Sequence, residues 1–172
     1  MVAGQQQNVG KTTLLCNVIS HLSRTQPVYA IKASPHFHNH IGQADSMIKE
    51  KDFEILIETS HESNKDTSRM LKTGAEKAYL LQANEDGILP GFLRVLEEIP
   101  VGAPIVCESA GLREHIVPGV FLMIRQLYCK ICSIEDEKMF KLADRVVTYT
   151  VNGFDLPISD LSFEDKKWSI LS

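Results

Sequence analysis

Near its start the chain reads Gly4-Gln5-Gln6-Gln7-Asn8-Val9-Gly10-Lys11-Thr12-Thr13, and this stretch decides the expected fold. A strand that ends in a Gly-Lys-Thr turn and opens into a helix points several backbone N–H groups at one spot, where the helix dipole also favours an anion. Lys11 supplies a cation for the β- and γ-phosphates of a nucleotide, and the Thr12 hydroxyl supplies a Mg²⁺ ligand. The stretch therefore predicts a phosphate-binding loop whose contact residues are Asn8, Val9, Gly10, Lys11, Thr12 and Thr13.

The entrance of this loop departs from the usual spacing. The usual pattern places the first glycine where Gln5 stands, and Gly4 lies one residue earlier. Either the loop is one residue longer than usual, or a residue other than glycine occupies its entrance. A chance Gly-Lys-Thr in a surface turn is the alternative, but the apolar residues that follow have the spacing of a helix with one buried face: Leu14, Leu15, Val18, Ile19 and Leu22.

Length and composition restrict the class of protein. The 172 residues suffice for one domain with a sizeable core, so we expect a single nucleotide-binding domain over 1–172. The net charge of −4 and the lack of a basic run argue against a nucleic-acid partner. The longest apolar run, at 120–124, is far shorter than the ~20 residues that span a bilayer, so no membrane role is expected. The start of the chain carries no export signal, which makes the cytoplasm the expected location.

The remaining pattern alternates between strands and helices. We predict strands at 28–31, 53–58, 78–81, 105–108, 120–124 and 145–149. We predict helices at 11–23, at 66–72, near Pro90 up to Pro100, and from Ser133 to about 142, with Asp66 as a cap and Gly74 as a stop. Such alternation indicates an α/β protein with a mainly parallel sheet between two layers of helices.

Two strand ends carry candidate site residues, because ligands of open α/β sheets bind at the carboxyl ends of the strands. Glu108 follows the apolar strand 105–107 and can hold Mg²⁺ or orient a water molecule, although an exposed acid at a strand end is the plain alternative. Lys32 ends the second strand and is expected to meet a substrate phosphate.

Histidine and cysteine patterns allow more than one interpretation. If extended, His36, His38 and His40 share one face that could bind a metal or an anionic substrate, or they occupy a surface loop. Cys129 and Cys132 have the spacing of half a zinc site or a redox pair, but no second pair exists, so ordinary reduced thiols are favoured. The remaining cysteines, Cys16 and Cys107, fall in a helix and a strand, where buried thiols act as small apolar groups.

A candidate base-reading motif follows the last predicted strand. Asn152-Gly153-Phe154-Asp155 matches the Asn-x-x-Asp outline with which many GTPases read guanine, which makes Asn152 and Asp155 candidate nucleotide contacts. Asn-Gly between two apolar stretches is equally a signal for a two-residue hairpin turn.

The segment 65–75, Lys-Asp-Thr-Ser-Arg-Met-Leu-Lys-Thr-Gly-Ala, resembles a characteristic stretch of the molybdopterin-guanine dinucleotide biosynthesis protein B family. The loop at 8–13, the Lys32 strand end with nearby histidines and the Glu108 strand end occur in the same order, so the similarity spans most of the chain. The resemblance implies a P-loop NTPase fold, usually a dimer, that binds GTP or another nucleotide. It also implies a partner nucleotidyltransferase, the enzyme that attaches guanylate to molybdopterin.

A second resemblance comes from the run Glu108-Ser109-Ala110-Gly111-Leu112, where the first family typically has a glycine and an aromatic residue after the glutamate. This run and the long loop entrance are similar to dethiobiotin synthetase and its cobyrinate-amidating relatives. Those enzymes use ATP to activate a carboxylate as an acyl phosphate.

Together these observations predict slow, Mg²⁺-dependent hydrolysis of GTP or ATP. Lys11 and Glu108 are the expected catalytic residues, and Thr12 and Glu108 the expected metal ligands. Slow turnover is expected because no arginine finger, which is worth about 10³- to 10⁵-fold, is identifiable by sequence. The alternatives are an ATP-dependent ligase or kinase with a small acceptor, and a non-catalytic adaptor whose nucleotide occupancy orders a loop that docks a partner enzyme.

Overall fold

The structure is a computed structural model that describes residues 1–5, 8–35, 37, 44–126 and 133–171. Within these ranges the strands are β1 Val2–Gly4, β2 Tyr29–Ser34, β3 Ala44–Lys49, β4 Phe53–Glu58, β5 Lys77–Ala83, β6 Ile105–Glu108, β7 Leu122–Gln126, β8 Arg145–Thr150, β9 Gly153–Phe154, β10 Leu161–Glu164 and β11 Lys167–Ile170. The helices of the same ranges are α1 Lys11–Leu22, α2 Asp66–Lys72, α3 Ile88–Glu97 and α4 Ile134–Leu142.

Nine strands form one mixed sheet in the order β3-β4-β5-β2-β6-β1-β7-β8-β9. The six central strands, from β5 to β8, are parallel, whereas β4 pairs antiparallel with β5 and with β3 at one edge, and β9 pairs antiparallel with β8 at the other. Parallel strands need crossover connections, and the helices between them supply these. The carboxyl ends of β1, β2 and β6 consequently meet at one edge, next to the start of α1.

Helices cover both faces of the sheet. Ala30 and Val106 pack against residues of α1 and α2, whereas Ile31 packs against α3. Met139 of α4 joins a smaller cluster with Met123 of β7. Alternate residues of a strand point to opposite faces, so each central strand needs apolar side chains on both sides, and this explains its nearly continuous apolar sequence. The expected α/β architecture, a mainly parallel sheet between helices, is confirmed.

Most predicted elements occur near their predicted bounds, and the misses lie at the periphery. The predictions for β4, α2 and β6 were correct at both ends, while β7 begins two residues later than predicted. Strand β3 was missed because its sequence is largely polar and it pairs only at the sheet edge, with an irregularity between Ser46 and Ile48. The β10–β11 hairpin was missed because its turn, Asp165-Lys166, reaches positive φ without a glycine.

The ends of two helices test the predicted caps. Gly74, at φ 109°, ends α2 as expected, with its N–H donating to the carbonyl of Leu71 at 2.9 Å. Ser133 caps α4 as expected and accepts from the Asp136 N–H at 3.0 Å. The predicted cap at Asp66 is wrong, because the N-cap of α2 is Lys65 and no side chain caps that helix. The Asp66 carboxylate turns instead toward Lys32, which lies inside β2 and does not end that strand as predicted, because β2 continues to Ser34.

No helix in the part of the chain that the structure describes is long and apolar enough to cross a bilayer.

The hairpin formed by β8 and β9 rests against the loop that leads into α1. Phe154 of β9 lies so close to Gly10 that a Cβ on Gly10 would be 3.2 Å from two ring carbons. Gly10 has φ 95°, in the region that glycine occupies without steric cost. Both constraints explain why a residue with no side chain stands at this position.

We predict that Gly10→Ala destabilises the protein more than Gly153→Ala. Gly153 has a similar φ of 103°, but a Cβ there would meet nothing within 4 Å. Gly153→Ala therefore carries only the backbone strain of about 1–2 kcal/mol, whereas Gly10→Ala adds about 1–3 kcal/mol of overpacking against Phe154. Urea unfolding of both variants measures the difference, and equal destabilisation would show that the Phe154 contact is unimportant.

Candidate functional site

The turn at 8–10, between β1 and α1, is marked by a close approach to Gly4 and by two left-handed residues. A Cβ on Gly4 would lie 2.7 Å from Val9 Cγ2 and 3.1 Å from the Ile124 carbonyl oxygen, so glycine is needed here, one residue before the usual position. Val9 is buried, and Asn8 and Gly10 on either side of it have φ of 61° and 95°. Alternation of handedness of this kind gathers backbone N–H groups into a concave surface that suits an anion.

Helix α1 begins immediately after this loop. Its N-cap is Gly10, which has no side chain to cap the first turn, and the first turn contains no acidic residue. The N–H groups and the positive end of the dipole of a twelve-residue helix therefore face the same place as the concave loop. This arrangement favours the binding of an anion in front of α1.

Thr12 connects α1 to the end of strand β6. Its hydroxyl donates a hydrogen bond to Glu108 Oε2 at 2.6 Å, and both residues are buried. Lys32 stands opposite Glu108 in the register of β2 and β6, so their side chains project from the same face, and Lys32 Nζ donates to Glu108 Oε1 at 3.2 Å. Three of the predicted site residues therefore meet at one carboxylate, because Thr12 and Lys32 each donate a hydrogen bond to Glu108.

Helix α2 extends this cluster with residues to which the sequence assigned no role in the site. Lys32 Nζ also forms an ion pair with Asp66 at the start of α2. Arg69, one turn later, has Nη1 at 3.5 Å from Asp66 Oδ1, and its Nη2 donates to Thr13 Oγ1 at 3.1 Å. The contact of Arg69 with α1 was not predicted, because only the packing of α1 against α2 brings Thr13 near Arg69.

The charges in this cluster perturb one another. Burial acts to raise the pKa of Asp66, but the hydrogen bond and charge of Lys32, a hydrogen bond from Thr12 and the charge of Arg69 outweigh it, so the pKa is lowered. Burial acts to lower the pKa of Lys32, but Glu108 and Asp66 outweigh it and the pKa is raised. These shifts keep Asp66 and Lys32 ionised as a pair.

Lys11 behaves in the opposite way. Its pKa is lowered, chiefly by burial and further by the charge of Lys32, although Glu108 and Asp66 oppose the change. Burial therefore outweighs the nearby carboxylates at Lys11, whereas the nearby carboxylates outweigh burial at Lys32. The cluster holds three cations, Lys11, Lys32 and Arg69, against two carboxylates, Asp66 and Glu108, and this excess of positive charge suits an anionic ligand.

The run after Glu108 has a local structural role. Ser109 is buried, its N–H donates to the Val2 carbonyl at 3.1 Å, and its hydroxyl accepts from the Leu112 N–H at 3.1 Å. Ser109 is thereby tied to the first turn of the short 3-10 helix at Gly111–Glu114, whose N-cap is Ala110. The Glu-Ser-Ala-Gly pattern is explained by this turn without any contact to a substrate.

The candidate base readers lie on the β8–β9 hairpin. Strand pairing places Thr150 opposite Gly153, so the two-residue turn is Val151-Asn152, one position before the Asn-Gly pair, and Gly153 follows it at φ 103°. Asn152 is exposed, and Asp155 Oδ1 accepts the Thr148 N–H at 2.7 Å. The hairpin interpretation is therefore confirmed in substance, whereas base reading by Asn152 and Asp155 stays a prediction.

The structure describes only some of the histidines and cysteines to which the sequence assigned possible roles. His36, His38, His40, Cys129 and Cys132 lie outside the described residues. Cys16 and Cys107 are buried, and burial raises the pKa of both thiols, that of Cys107 to about 12. Both behave as the expected small apolar groups. Across the described ranges, no group of three or more His, Cys, Asp and Glu side chains is placed to hold a metal.

Comparisons of the chain with family models, with curated protein sequences and with solved structures found no match. The assignment of a function consequently rests on the geometry of the site and on the sequence motifs.

We predict that Asp66→Asn lowers the free energy of unfolding by about 1 kcal/mol near neutral pH, the scale of a partly exposed ion pair. Because the folded-state pKa of Asp66 is lowered, its stabilisation is present above the unfolded pKa of about 3.9 and is lost as the pH falls through the folded value. Urea unfolding of wild type and variant at several pH values should show a gap at neutral pH that closes in acid.

Asp45→Asn is the matched control for this measurement, since Asp45 is an exposed residue of the edge strand β3. It should leave stability almost unchanged at every pH. A gap for Asp66→Asn that persists unchanged into acid would contradict the ionised pair with Lys32.

Proposed function

We propose that this chain is a P-loop protein that binds a nucleoside triphosphate, GTP or ATP, together with Mg²⁺ and hydrolyses it slowly. The observation that carries the proposal is the 2.6 Å hydrogen bond between Thr12, in the first turn of α1, and Glu108 at the end of β6. A hydroxyl and a carboxylate brought together at a phosphate-binding helix start are the ligands that Mg²⁺ needs beside a nucleotide.

Phosphate binding is assigned to the loop and to Lys11. The N–H groups at the start of α1 point to the place in front of the helix, and Lys11, the first residue of α1, has a partly buried ammonium group whose pKa is lowered chiefly by burial. A bound anion adds negative charge beside this ammonium group, so binding should raise the pKa of Lys11. A triphosphate matches the excess positive charge of the cluster better than a neutral ligand does.

The donor set suits magnesium. Thr12 offers a hydroxyl oxygen, Glu108 a buried carboxylate and Asp66 a second carboxylate, which pairs with Lys32. Mg²⁺ prefers oxygen ligands and takes one or two carboxylates together with phosphate oxygens and water. When bound, the ion would neutralise charge that develops on the β- and γ-phosphate oxygens.

We expect slow hydrolysis because the two charged groups that could assist the reaction already have hydrogen-bond or ion-pair partners. Glu108 is the residue that can orient a water molecule, but Thr12 and Lys32 already occupy its two oxygens. Arg69, from the segment that carries the family resemblance, is a further cation near the start of α1, yet Asp66 and Thr13 hold its guanidinium group. Neither group is available for the reaction without rearrangement, which is typical of a site with low intrinsic turnover.

The resemblance of segment 65–75 supports a finer proposal. We place the chain beside the molybdopterin-guanine dinucleotide biosynthesis protein B family, as a homodimer that assists a nucleotidyltransferase. Two residues of this segment, Asp66 and Arg69, lie in the charged cluster: Asp66 pairs with Lys32, and Arg69 joins α2 to α1 through Thr13.

We predict that Lys11→Ala raises the Kd of MgGTP and MgATP about 10- to 100-fold, the worth of one hydrogen bond to a charged group. Lys141→Ala, which removes an exposed lysine that pairs with Glu137 on α4, is the matched control and should leave both Kd values unchanged. Isothermal titration calorimetry of the three proteins measures this. Failure of wild type to bind either nucleotide would overturn the proposal.

Turnover in the same samples separates the three activities. Slow phosphate release from GTP or ATP alone supports the hydrolase. Turnover that appears only with an added small carboxylic acid supports a ligase of the dethiobiotin synthetase type, and binding with no turnover at all supports the adaptor.

We also predict that Thr12→Ala abolishes the gain in nucleotide affinity that Mg²⁺ provides, while Thr12→Ser retains it. Serine keeps the hydroxyl that donates to Glu108, whereas alanine removes the metal ligand and leaves a buried carboxylate without that donor. Titrations of nucleotide with Mg²⁺ and with EDTA give the gain for each variant, and thermal melts show that each variant is folded. Equal Mg²⁺ dependence in Thr12→Ala and wild type would remove Thr12 from the metal site.

A further inference from the structure

The start of α1, with the turn at 8–10 before it, has two chemically different flanks. Strands β2 and β6 lie on one side of β1, and there Lys32 and helix α2 contribute the charged cluster. Strands β7, β8 and β9 lie on the other side, and there Tyr149 and Phe154 contribute aromatic rings. Phosphates and Mg²⁺ suit the first flank, so the remaining part of a nucleotide is directed to the second.

The aromatic rings pack directly against the loop. The centroids of Tyr149 and Phe154 are 4.8 Å apart, with their planes inclined by 34°. A Cβ on Gly10 would lie 3.2 Å from two carbons of the Phe154 ring and 3.4 Å from Tyr149 Cγ. Both side chains are only partly buried, so part of this aromatic surface beside the phosphate-binding loop faces solvent.

Hydrogen bonds hold the hairpin that carries these rings. Asp155 Oδ1 accepts the Thr148 N–H at 2.7 Å, and the Asp155 N–H donates to the Thr148 carbonyl at 3.1 Å. Arg145 Nη2 donates to the Asp155 carbonyl at 3.0 Å. The aromatic surface is thus positioned before any ligand arrives, and Asp155 is already engaged in positioning it.

We propose that Tyr149 and Phe154 form the surface on which the nucleotide base stacks, an inference that rests on the proposed function. Stacking uses the π-face that every base has, so it does not distinguish guanine from adenine. The chain should therefore bind GTP and ATP with similar affinity. Asp155 acts in this arrangement as a positioning residue that holds the hairpin, and the purine is recognised by its flat aromatic surface.

The test compares MgATP and MgGTP with inorganic tripolyphosphate plus Mg²⁺, which has the phosphates and no base. Phe154→Leu should weaken binding of both nucleotides about 5- to 150-fold, the range for loss of one stacked base, and should leave tripolyphosphate binding within about 2-fold of wild type. Phe154→Tyr should keep wild-type affinity for all three ligands. Isothermal titration calorimetry gives each Kd.

Phe163→Leu is the matched control, because Phe163 pairs with Trp168 in the β10–β11 hairpin, with ring centroids 5.3 Å apart. It should change no Kd. Equal losses of nucleotide and tripolyphosphate in Phe154→Leu would overturn the base-stacking role, as would unchanged nucleotide binding.

Asp155→Asn tests the competing view that this carboxylate reads guanine. A parallel loss of ATP and GTP binding supports its positioning role, and a loss confined to GTP overturns recognition by stacking alone. Binding of tripolyphosphate to the wild-type protein tests the proposed function separately. If the wild type does not bind it, the proposal of a phosphate site is wrong.

Discussion

The hydrogen bond from Thr12 to Glu108 is the contact around which the site is organised. It joins the first turn of α1 to the end of β6, and it aligns the start of the helix with the carboxyl ends of the central strands. A buried carboxylate needs donors, since leaving a charged group unpaired in the interior costs several kcal/mol. Thr12 and Lys32 both supply such donors. The packing of α1, β2 and β6 therefore brings two hydrogen-bond donors to one buried carboxylate, that of Glu108.

Close packing fixes the loop on either side of this contact. Gly4 allows Val9 to approach β1, and Gly10 allows Phe154 of the β8–β9 hairpin to rest on the loop. Each position lacks a Cβ because a neighbouring side chain occupies the space. The two flanks of the loop consequently differ in chemistry, with ion pairs toward α2 and aromatic rings toward β9. A polar ligand with one flat apolar end matches both flanks at once.

The charged cluster shows which contacts the local sequence pattern predicts and which depend on the tertiary structure. Glu108 and Lys32 were predicted from strand ends, since carboxyl ends of parallel strands meet at one edge. Their direct contact depends on the register between β2 and β6, which no local pattern contains. Asp66 was expected to cap its own helix, a bond of about 1 kcal/mol. Asp66 instead forms an ion pair with the half-buried Lys32, and this pair helps the Lys32 ammonium group to keep its charge.

The sequence by itself determined the loop and helix at 4–22, the alternation of strands and helices, and the identity of Thr12, Lys32 and Glu108 as candidates. Those features depend on periodicity and on residues near in the chain. Tertiary structure alone decided that Arg69 reaches Thr13, that Phe154 covers Gly10 and that Asp155 is engaged by Thr148. It also decided the edge strand β3 and the β10–β11 hairpin. Each of these depends on which elements lie side by side, and packing of distant segments sets that order.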